Sequence, residues 1–238
     1  RFDRSTIFAS DLAWPTAIVC YDGGVFVGAT PDILYLKDTD GDHKADVRKK
    51  VFTGFGVINA EQLANNLKWG IDNKIYGAAS HSGGSIRPAD DPSAKPISIS
   101  GSDFCLDPRT NKFAALSWAT SRWGNSFDDA YNRFVCQNTG PARHVVLPLR
   151  YLARNPYLRV ESVYESLAKE VGTESVYRTS PAEPWRLVRA FRRQARGKPA
   201  NPGEINATGY FTASCGITIY RGDAWPPQFR GNILVGDA

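Results

Sequence analysis

Residues 65–78 read NNLKWGIDNKIYGA, and the alternation within them indicates the fold class. Leu67 and Trp69 alternate with polar residues before an Asp-Asn pair at 72–73, and Ile75 continues the same two-residue period after it. Apolar side chains at every second position are typical of a half-buried strand, and a polar pair between two such runs favours a tight turn. The stretch therefore predicts a β-hairpin of a small antiparallel sheet.

Looser versions of this hairpin recur at residues 21–29, 127–136 and 229–237. Each has a polar turn centred on Asp, Gly or Asn, then aromatic or β-branched residues, then small residues. A hairpin unit that repeats at about 50–60 residues is typical of a β-propeller, which is built from four-stranded blades. By this count the all-β chain holds about three to four blades. Unrelated hairpins of an ordinary all-β domain are the alternative.

The segments beside the repeats complete the expected sheets. Residues 16–36 predict three successive strands, with a break at Pro31. Residues 45–56 alternate like an outer strand, and residues 82–96, which are rich in Gly, Ser, Asp and Pro, predict a long loop. We therefore interpret residues 1–238 as a single propeller region.

Residues 155–205 interrupt the repeat of hairpins and predict a partly helical insertion. The stretch WRLVRAFRRQARG at 185–197 has no proline and ends at a glycine, as expected of a helix. One side of this helix is basic and the other apolar: Arg186, Arg189, Arg192, Arg193 and Arg196 stand opposite Leu187, Val188 and Phe191. A basic helix can bind phosphates or an acidic partner, and a surface helix with a solvated charged face is the alternative.

The composition indicates a folded globular protein but selects no partner. Hydrophobic residues make up 42% of the 238 residues and aromatic residues 12%, enough for a sizeable core. Lys and Arg outnumber Asp and Glu by 29 to 24, a modest excess that gives no indication of nucleic-acid binding. No apolar run reaches the roughly 18 residues that span a bilayer, so we expect no transmembrane segment. The lack of Met and the start at Arg1 suggest a piece of a longer chain.

The four cysteines form no CxxC pair, which excludes a zinc ribbon, a thioredoxin motif and a haem-attachment CxxCH within this sequence. Cys20, Cys105, Cys136 and Cys215 each lie in an apolar, strand-like run. Buried free thiols and one or two disulfides are both compatible with this placement.

An acidic loop, DTDGDHKAD at residues 38–46, is the candidate metal site. Its carboxylates are those of Asp38, Asp40, Asp42 and Asp46. Oxygen ligands at alternate positions around a glycine turn suit Ca²⁺, because the backbone must curl to bring them within about 2.3–2.6 Å of one ion. The spacing differs from an EF-hand, in which the glycine stands at position six rather than four. A solvated acidic turn is the alternative.

Several segments resemble one protein family. The stretches DGGVFVGATPDILYLKDTDGD, NLKWGIDNKIYGA, FDDAYNRFVC, HVVLPLRYLARNPYL, SPAEPW and GYFTASCGITIYRGDA are similar to the N-terminal propeller region of bacterial membrane-bound dehydrogenases of the haem-binding CxxCH-containing family. The similarity covers nearly the whole chain. It implies a propeller distantly similar to sugar dehydrogenases that depend on pyrroloquinoline quinone (PQQ), followed by helical repeats and a haem domain, in the periplasm or cell envelope.

The resemblance also implies a dehydrogenase site, with one departure. Quinoprotein sugar dehydrogenases carry a base histidine a few residues ahead of the blade hairpin, in an H-x-G-G-x-L pattern, and Gln62 stands at that position here. Because a glutamine cannot accept a proton near pH 7, His81 becomes the candidate base. Arg122, which precedes the next hairpin, is the candidate cation for a cofactor carboxylate or an oxyanion.

Loops that join blade strands converge at the axial mouth of a propeller, so His81 and Arg122 are expected to face one pocket, no more than about 15 Å apart. Asp128 and Asp129 either orient Arg122 in a cofactor site or cap the turn that contains them, and the turn role is favoured. His144 is expected as a half-buried strand residue.

Two functions are compatible with this sequence. In the first, the chain is the oxidising part of a periplasmic dehydrogenase that takes a sugar or alcohol, uses PQQ with Ca²⁺, and passes electrons to a cytochrome c-type haem domain outside this chain. In the second, it is a non-catalytic module that binds a polysaccharide or a partner domain. A base, an arginine and a carboxylate around one funnel favour the enzyme, whereas an exposed aromatic platform without a base favours the binding module.

Overall fold

The computed structural model describes residues 3–155, 157–168, 174–177, 179–181, 183–197 and 209–237. In these residues the protein is mostly β, with several antiparallel sheets, and the all-β class predicted from sequence is confirmed. No helix in this part of the chain is both long and apolar enough to cross a membrane.

The strands fall into sheets that follow one another along the chain. The first ten are β1 (Pro15–Tyr21), β2 (Gly24–Ala29), β3 (Asp32–Lys37), β4 (Val47–Phe55), β5 (Asn65–Trp69), β6 (Ile75–Ala78), β7 (Gly84–Pro88), β8 (Ile97–Ser98), β9 (Phe104–Asp107) and β10 (Lys112–Ala115). The other eight are β11 (Asn125–Phe127), β12 (Arg133–Gln137), β13 (Gly140–Val145), β14 (Tyr164–Ser166), β15 (Ser175–Val176), β16 (Gly209–Tyr210), β17 (Ser214–Ile219) and β18 (Ile233–Asp237). The helices are α1 (Leu149–Leu152) and α2 (Pro184–Ala195).

The first sheet has the order β1-β2-β3-β4-β7-β8, the second β10-β9-β6-β5 and the third β11-β12-β13-β14. Strands β15 and β16 form one two-stranded sheet, and β17 and β18 form another. The strands that open successive sheets contact one another in turn, β1 with β5, β5 with β11 and β11 with β17. The first strands therefore form part of the contact between successive sheets, and β17 also lies against β12 and β13.

The main core joins the first two sheets. Phe52 from β4 and Ile75 from β6 are fully buried, and Phe104 from β9 is nearly so. Phe104 stacks on Phe113 of β10, with ring centroids 5.2 Å apart. Burying one such side chain stabilises the fold by about 1.5–3 kcal/mol, so this cluster fixes the second sheet against the first.

Strands β5 and β6 confirm the hairpin predicted at 65–78, but their connection is longer than the expected Asp-Asn turn. It covers residues 70–74, because the Gly70 N–H donates to the Lys74 carbonyl oxygen at 2.8 Å. Asn73 has a left-handed φ of 58°, which asparagine tolerates better than most residues. We call this side of the second and third sheets the turn end, and the side where β5 and β11 begin the entry end.

Two expectations about the first sheet are wrong. Residues 45–56 do not supply an outer strand, because β4 pairs with β3 on one side and with β7 on the other. Residues 82–96 are not wholly a loop, since β7 lies within them. Gly54 permits this pairing: a Cβ at this position would lie 2.1 Å from the Ser85 carbonyl oxygen.

Part of the insertion predicted at 155–205 lies outside the described residues, namely 156, 169–173, 178, 182 and 198–205. Helix α2 covers most of the stretch predicted to be helical and begins with Pro184, a favoured first helical residue. Val188 and Phe191 of its apolar side are exposed, whereas Ala190 is buried. All four cysteines are free thiols in this structure.

Candidate functional site

One buried carboxylate at the entry end holds two loops that are distant in sequence. Asp103 is 0% exposed, and its Oδ1 accepts hydrogen bonds from the backbone N–H groups of Ala79 and Ser121, both at 3.0 Å. Ala79 begins the loop after β6, and Ser121 lies in the loop before β11. Asp103 therefore fixes both loops to the same point at the start of β9.

Arg133 neutralises this carboxylate from the other side. Its Nη2 donates to Asp103 Oδ2 and to the Ala119 carbonyl oxygen at 3.4 Å. Burial raises the pKa of Asp103 to about 6, while the Arg133 guanidinium and the N–H donors act to lower it. A buried carboxylate needs such partners, because an unpaired buried charge costs several kcal/mol.

His81 and Arg122 stand just beyond the two N–H groups that Asp103 anchors. His81 is exposed and Arg122 is half-buried. Partial burial lowers the pKa of the His81 imidazole, and the positive charge of Arg122 lowers it further. Asp103 thus brings together, at the entry end, the two loops that carry His81 and Arg122.

Three buried polar atoms without partners belong to the loops that carry these two residues. Among the described residues, the hydroxyls of Ser80 and Ser82 and the Nε of Arg122 are buried and make no hydrogen bond. Buried polar atoms are paired in the large majority of cases, so such a cluster is unusual. Ser80 also has a left-handed φ of 53°, and strained residues of this kind concentrate at functional sites. A ligand with hydrogen-bonding groups would satisfy these atoms.

Gln62, at the position where the resemblance predicted a histidine, lies against the same loop. Its carbonyl oxygen accepts a hydrogen bond from the Ser82 N–H at 3.3 Å. Since Ser82 directly follows His81, the backbone of Gln62 lies next to the loop that carries His81.

Asp128 and Asp129 lie at the turn end, at the other end of β11 from Arg122. Asp128 Oδ1 accepts the Asn132 N–H at 2.8 Å and so caps its own turn, while Asp129 pairs with Arg221 at 2.6 Å. Within the described ranges, no hydrogen bond or ion pair joins either carboxylate to Arg122.

His144 is a half-buried residue of β13, as expected. Its ring stacks on that of Phe134, with centroids 5.0 Å apart and planes 22° apart.

The acidic loop brings three of its four carboxylates together. Oxygen atoms of Asp38, Asp40 and Asp42 lie within 4.8 Å of one another. Asp46 is not in this group, and its Oδ2 accepts hydrogen bonds from the N–H of Thr39 at 2.7 Å and from its hydroxyl at 2.9 Å. A cation at this position would be coordinated by carboxylate oxygens of Asp38, Asp40 and Asp42.

Asp103, Ser80 and Ser82 were not predicted from the sequence. Asp103 could have been noticed because it stands directly before the strand-like run FCLD, a position that indicates a buried charged side chain. The serines carried no signal, because serine is common in any polar loop.

Comparison with known proteins places the chain in one family. No curated protein and no solved structure matches it. The model of a family described as a domain of unknown function, DUF7133, matches residues 1–238. Because this match spans the whole chain, the protein belongs to the DUF7133 family.

Proposed function

We propose that this chain is the oxidising part of a quinoprotein-like dehydrogenase that acts on a sugar or alcohol hydroxyl. The observation that carries the proposal is that Asp103 anchors the loops of His81 and Arg122, which belong to two adjacent sheets, to one point at the entry end. Partial burial and the charge of Arg122 both lower the pKa of His81. A general base must be unprotonated to act, so a lowered pKa suits this role.

His81 accepts the proton of the substrate hydroxyl, and the adjacent carbon loses a hydride as it becomes a carbonyl carbon. A quinone cofactor, when bound, supplies the two-electron acceptor for that hydride. Arg122, with the Ser80 and Ser82 hydroxyls, offers buried hydrogen-bonding groups without partners, which fit a carboxylate-bearing quinone such as PQQ. Asp128 and Asp129 have no part in this arrangement, since their carboxylates are engaged at the turn end.

We extend the proposal to the fold and location. The successive contacts of β1, β5, β11 and β17 support sheets arranged as propeller blades around an axis, with residues 155–205 as an insertion. His81 and Arg122 would then lie at the axial mouth. In this scheme the protein is in the periplasm or cell envelope, and electrons pass to a cytochrome c-type domain outside this chain.

Calcium forms part of the same proposal. The grouped carboxylates of Asp38, Asp40 and Asp42 supply hard oxygen donors, which suit Ca²⁺. Bound there, the ion would stiffen the loop between β3 and β4, and it takes no part in the oxidation step.

A second function is favoured by one observation. Trp118 is 63% exposed and lies in the same loop as Arg122. An exposed indole ring provides an apolar face on which a sugar ring can stack. A module that binds polysaccharide without chemistry is therefore the alternative.

Anaerobic reconstitution of the full-length protein with PQQ and Ca²⁺, followed by dye reduction over a panel of sugars and alcohols, tests the proposal. We expect dye reduction with at least one substrate and a loss of about 10²–10⁴-fold in His81→Gln, the usual contribution of a general base. His43→Asn, which also removes an imidazole, is the matched control and should keep full activity.

The dehydrogenase proposal fails if no dye is reduced and PQQ produces no absorbance change. If the protein then binds polysaccharide, and Trp118→Ala abolishes that binding while His81→Gln does not, the binding module is the correct function.

A further inference from the structure

A cavity of about 330 Å³ lies between the second and third sheets, away from the residues proposed for the oxidation step. Its walls come from β6, β11, β12, β13, α1, the turn between β11 and β12, and the residues that follow β10. Neither His81 nor Arg122 lines it. We propose that this cavity binds a small planar organic anion, such as an aromatic carboxylate.

The walls favour a planar ring. Tyr76, Phe127, Tyr131 and Tyr151 all line the cavity. Phe127 stacks on Tyr131 with ring centroids 5.0 Å apart, and the ring of Tyr76 meets that of Phe127 edge-on at 5.0 Å. Aromatic side chains arranged in this way present flat faces and ring edges to another ring. The volume is within the range of about 300–1,000 Å³ that is usual for small-molecule sites.

The charges favour an anion. The lining includes Arg133 and Arg150 but no Asp or Glu side chain, and since Arg133 is paired with Asp103, the available positive charge is that of Arg150. Arg150 is exposed, and its guanidinium lies 4.8 Å above the ring of Tyr151, so it sits at the edge of the cavity with its charge available. Arg133 is only 8% exposed, and its buried Nε makes no hydrogen bond among the described residues. A carboxylate at this edge would form a charge-assisted hydrogen bond with Arg150.

Hydrogen bonds hold the walls of the cavity in place. The Tyr131 hydroxyl donates to Asp72 Oδ1 at 2.7 Å and lies 2.7 Å from the Tyr76 hydroxyl. The Tyr76 hydroxyl also lies 3.1 Å from Asp72 Oδ2. These contacts tie the turn of the third sheet to the second sheet. Binding would therefore require little ordering of the walls, which reduces its entropic cost.

Calorimetric titration of the full-length protein with 2-naphthoate tests this proposal, and 2-naphthylmethanol serves as the uncharged comparison with the same rings. We expect saturable binding of 2-naphthoate and at least fivefold weaker binding of the alcohol. Arg150→Gln should weaken 2-naphthoate binding about tenfold, the effect of one charge-assisted hydrogen bond, and leave binding of the alcohol unchanged. Arg159→Gln removes an exposed arginine outside the cavity and should change neither affinity.

A second variant tests the location independently of charge. Ala130 lines the cavity and is exposed, so Ala130→Phe should fill part of the space and weaken binding of both naphthalene compounds, with the melting temperature nearly unchanged. The proposal is overturned if 2-naphthoate does not bind at millimolar concentration or binds no better than the alcohol. It is equally overturned if Arg150→Gln and Ala130→Phe, both folded, bind 2-naphthoate like the unmodified protein.

Discussion

Asp103 accepts hydrogen bonds from backbone groups 18 and 24 positions away, whereas the carboxylates of the acidic loop 38–46 accept theirs from residues within seven positions. The first carboxylate is fully buried, and those of the loop are largely exposed. The difference shows how burial changes what one side chain does. A buried carboxylate must accept hydrogen bonds from protein donors, even when these are distant in sequence, and so it fixes distant segments together. An exposed carboxylate can accept hydrogen bonds from neighbouring residues and from water.

Removing the buried carboxylate is the largest perturbation. Asp103→Ala leaves the Arg133 charge buried and unpaired and the Ala79 and Ser121 N–H groups without acceptors. We expect the free energy of unfolding, measured in urea, to fall by about 3–5 kcal/mol. Asp103→Asn keeps an acceptor oxygen and should lower the free energy of unfolding by less than Asp103→Ala does. A loss under about 1 kcal/mol in Asp103→Ala would show that the carboxylate does not hold the two loops.

Asp72 is intermediate, because its carboxylate is partly buried and joins two sheets through Tyr131. Tyr131→Phe removes one hydrogen bond and should lower the free energy of unfolding by about 1 kcal/mol. Tyr177→Phe, at a side chain that is 86% exposed, is the matched control and should have no measurable effect. Equal stability of both variants would mean that the link between the sheets contributes nothing.

The two kinds of carboxylate should also respond to pH in opposite directions. The pKa of Asp103 is raised to about 6 by burial, so the part of its stabilisation that depends on protonation is present below the unfolded value of 3.8 and is lost as pH rises through about 6. The pKa of Asp38 is lowered, chiefly by the N–H of Gly41, so its contribution is lost as pH falls below 3.8. Urea unfolding between pH 3 and 7 of Asp103→Asn and Asp38→Asn, each against the unmodified protein, measures both slopes. Slopes of the same sign would contradict this assignment.

The smallest effect concerns the acidic loop and Ca²⁺. Mutual repulsion of three grouped carboxylates is relieved by a bound cation, so millimolar Ca²⁺ should raise the melting temperature slightly and release or absorb heat in a titration. Asp40→Asn should abolish both responses. Asp90→Asn, which removes an exposed carboxylate elsewhere, should retain them. No heat with Ca²⁺, and a melting temperature unchanged by chelator, would rule out the site.

The sequence predicts the features that depend on neighbouring residues. The hairpin at 65–78 follows from the alternation of Leu67 and Trp69, and the cap that Asp128 places on its turn follows from a short polar side chain beside free N–H groups. The hairpin and the turn cap each depend on residues within a few positions of one another, so the local sequence pattern is enough to predict them.

Features that depend on distant partners could not be predicted in this way. Strand β7 lies in a polar stretch and is a strand only because β4 pairs with it. The role of Asp103 depends on Arg133, which is 30 positions away. A shared site for His81 and Arg122 was expected from propeller geometry and stays a prediction, whereas the carboxylate that anchors their loops was not expected.

The pH titration of the His81 imidazole by NMR, in the unmodified protein and in Arg122→Gln, tests the central claim most directly. We predict that His81 titrates below 6.5 in the unmodified protein and that its pKa rises toward 6.5 in Arg122→Gln, because a nearby positive charge has been removed. Arg109→Gln, at an exposed turn distant from the entry end, should leave the His81 titration unchanged. A His81 pKa at or above 6.5, or the same value in the unmodified protein and Arg122→Gln, would contradict the claim that these two residues form one site.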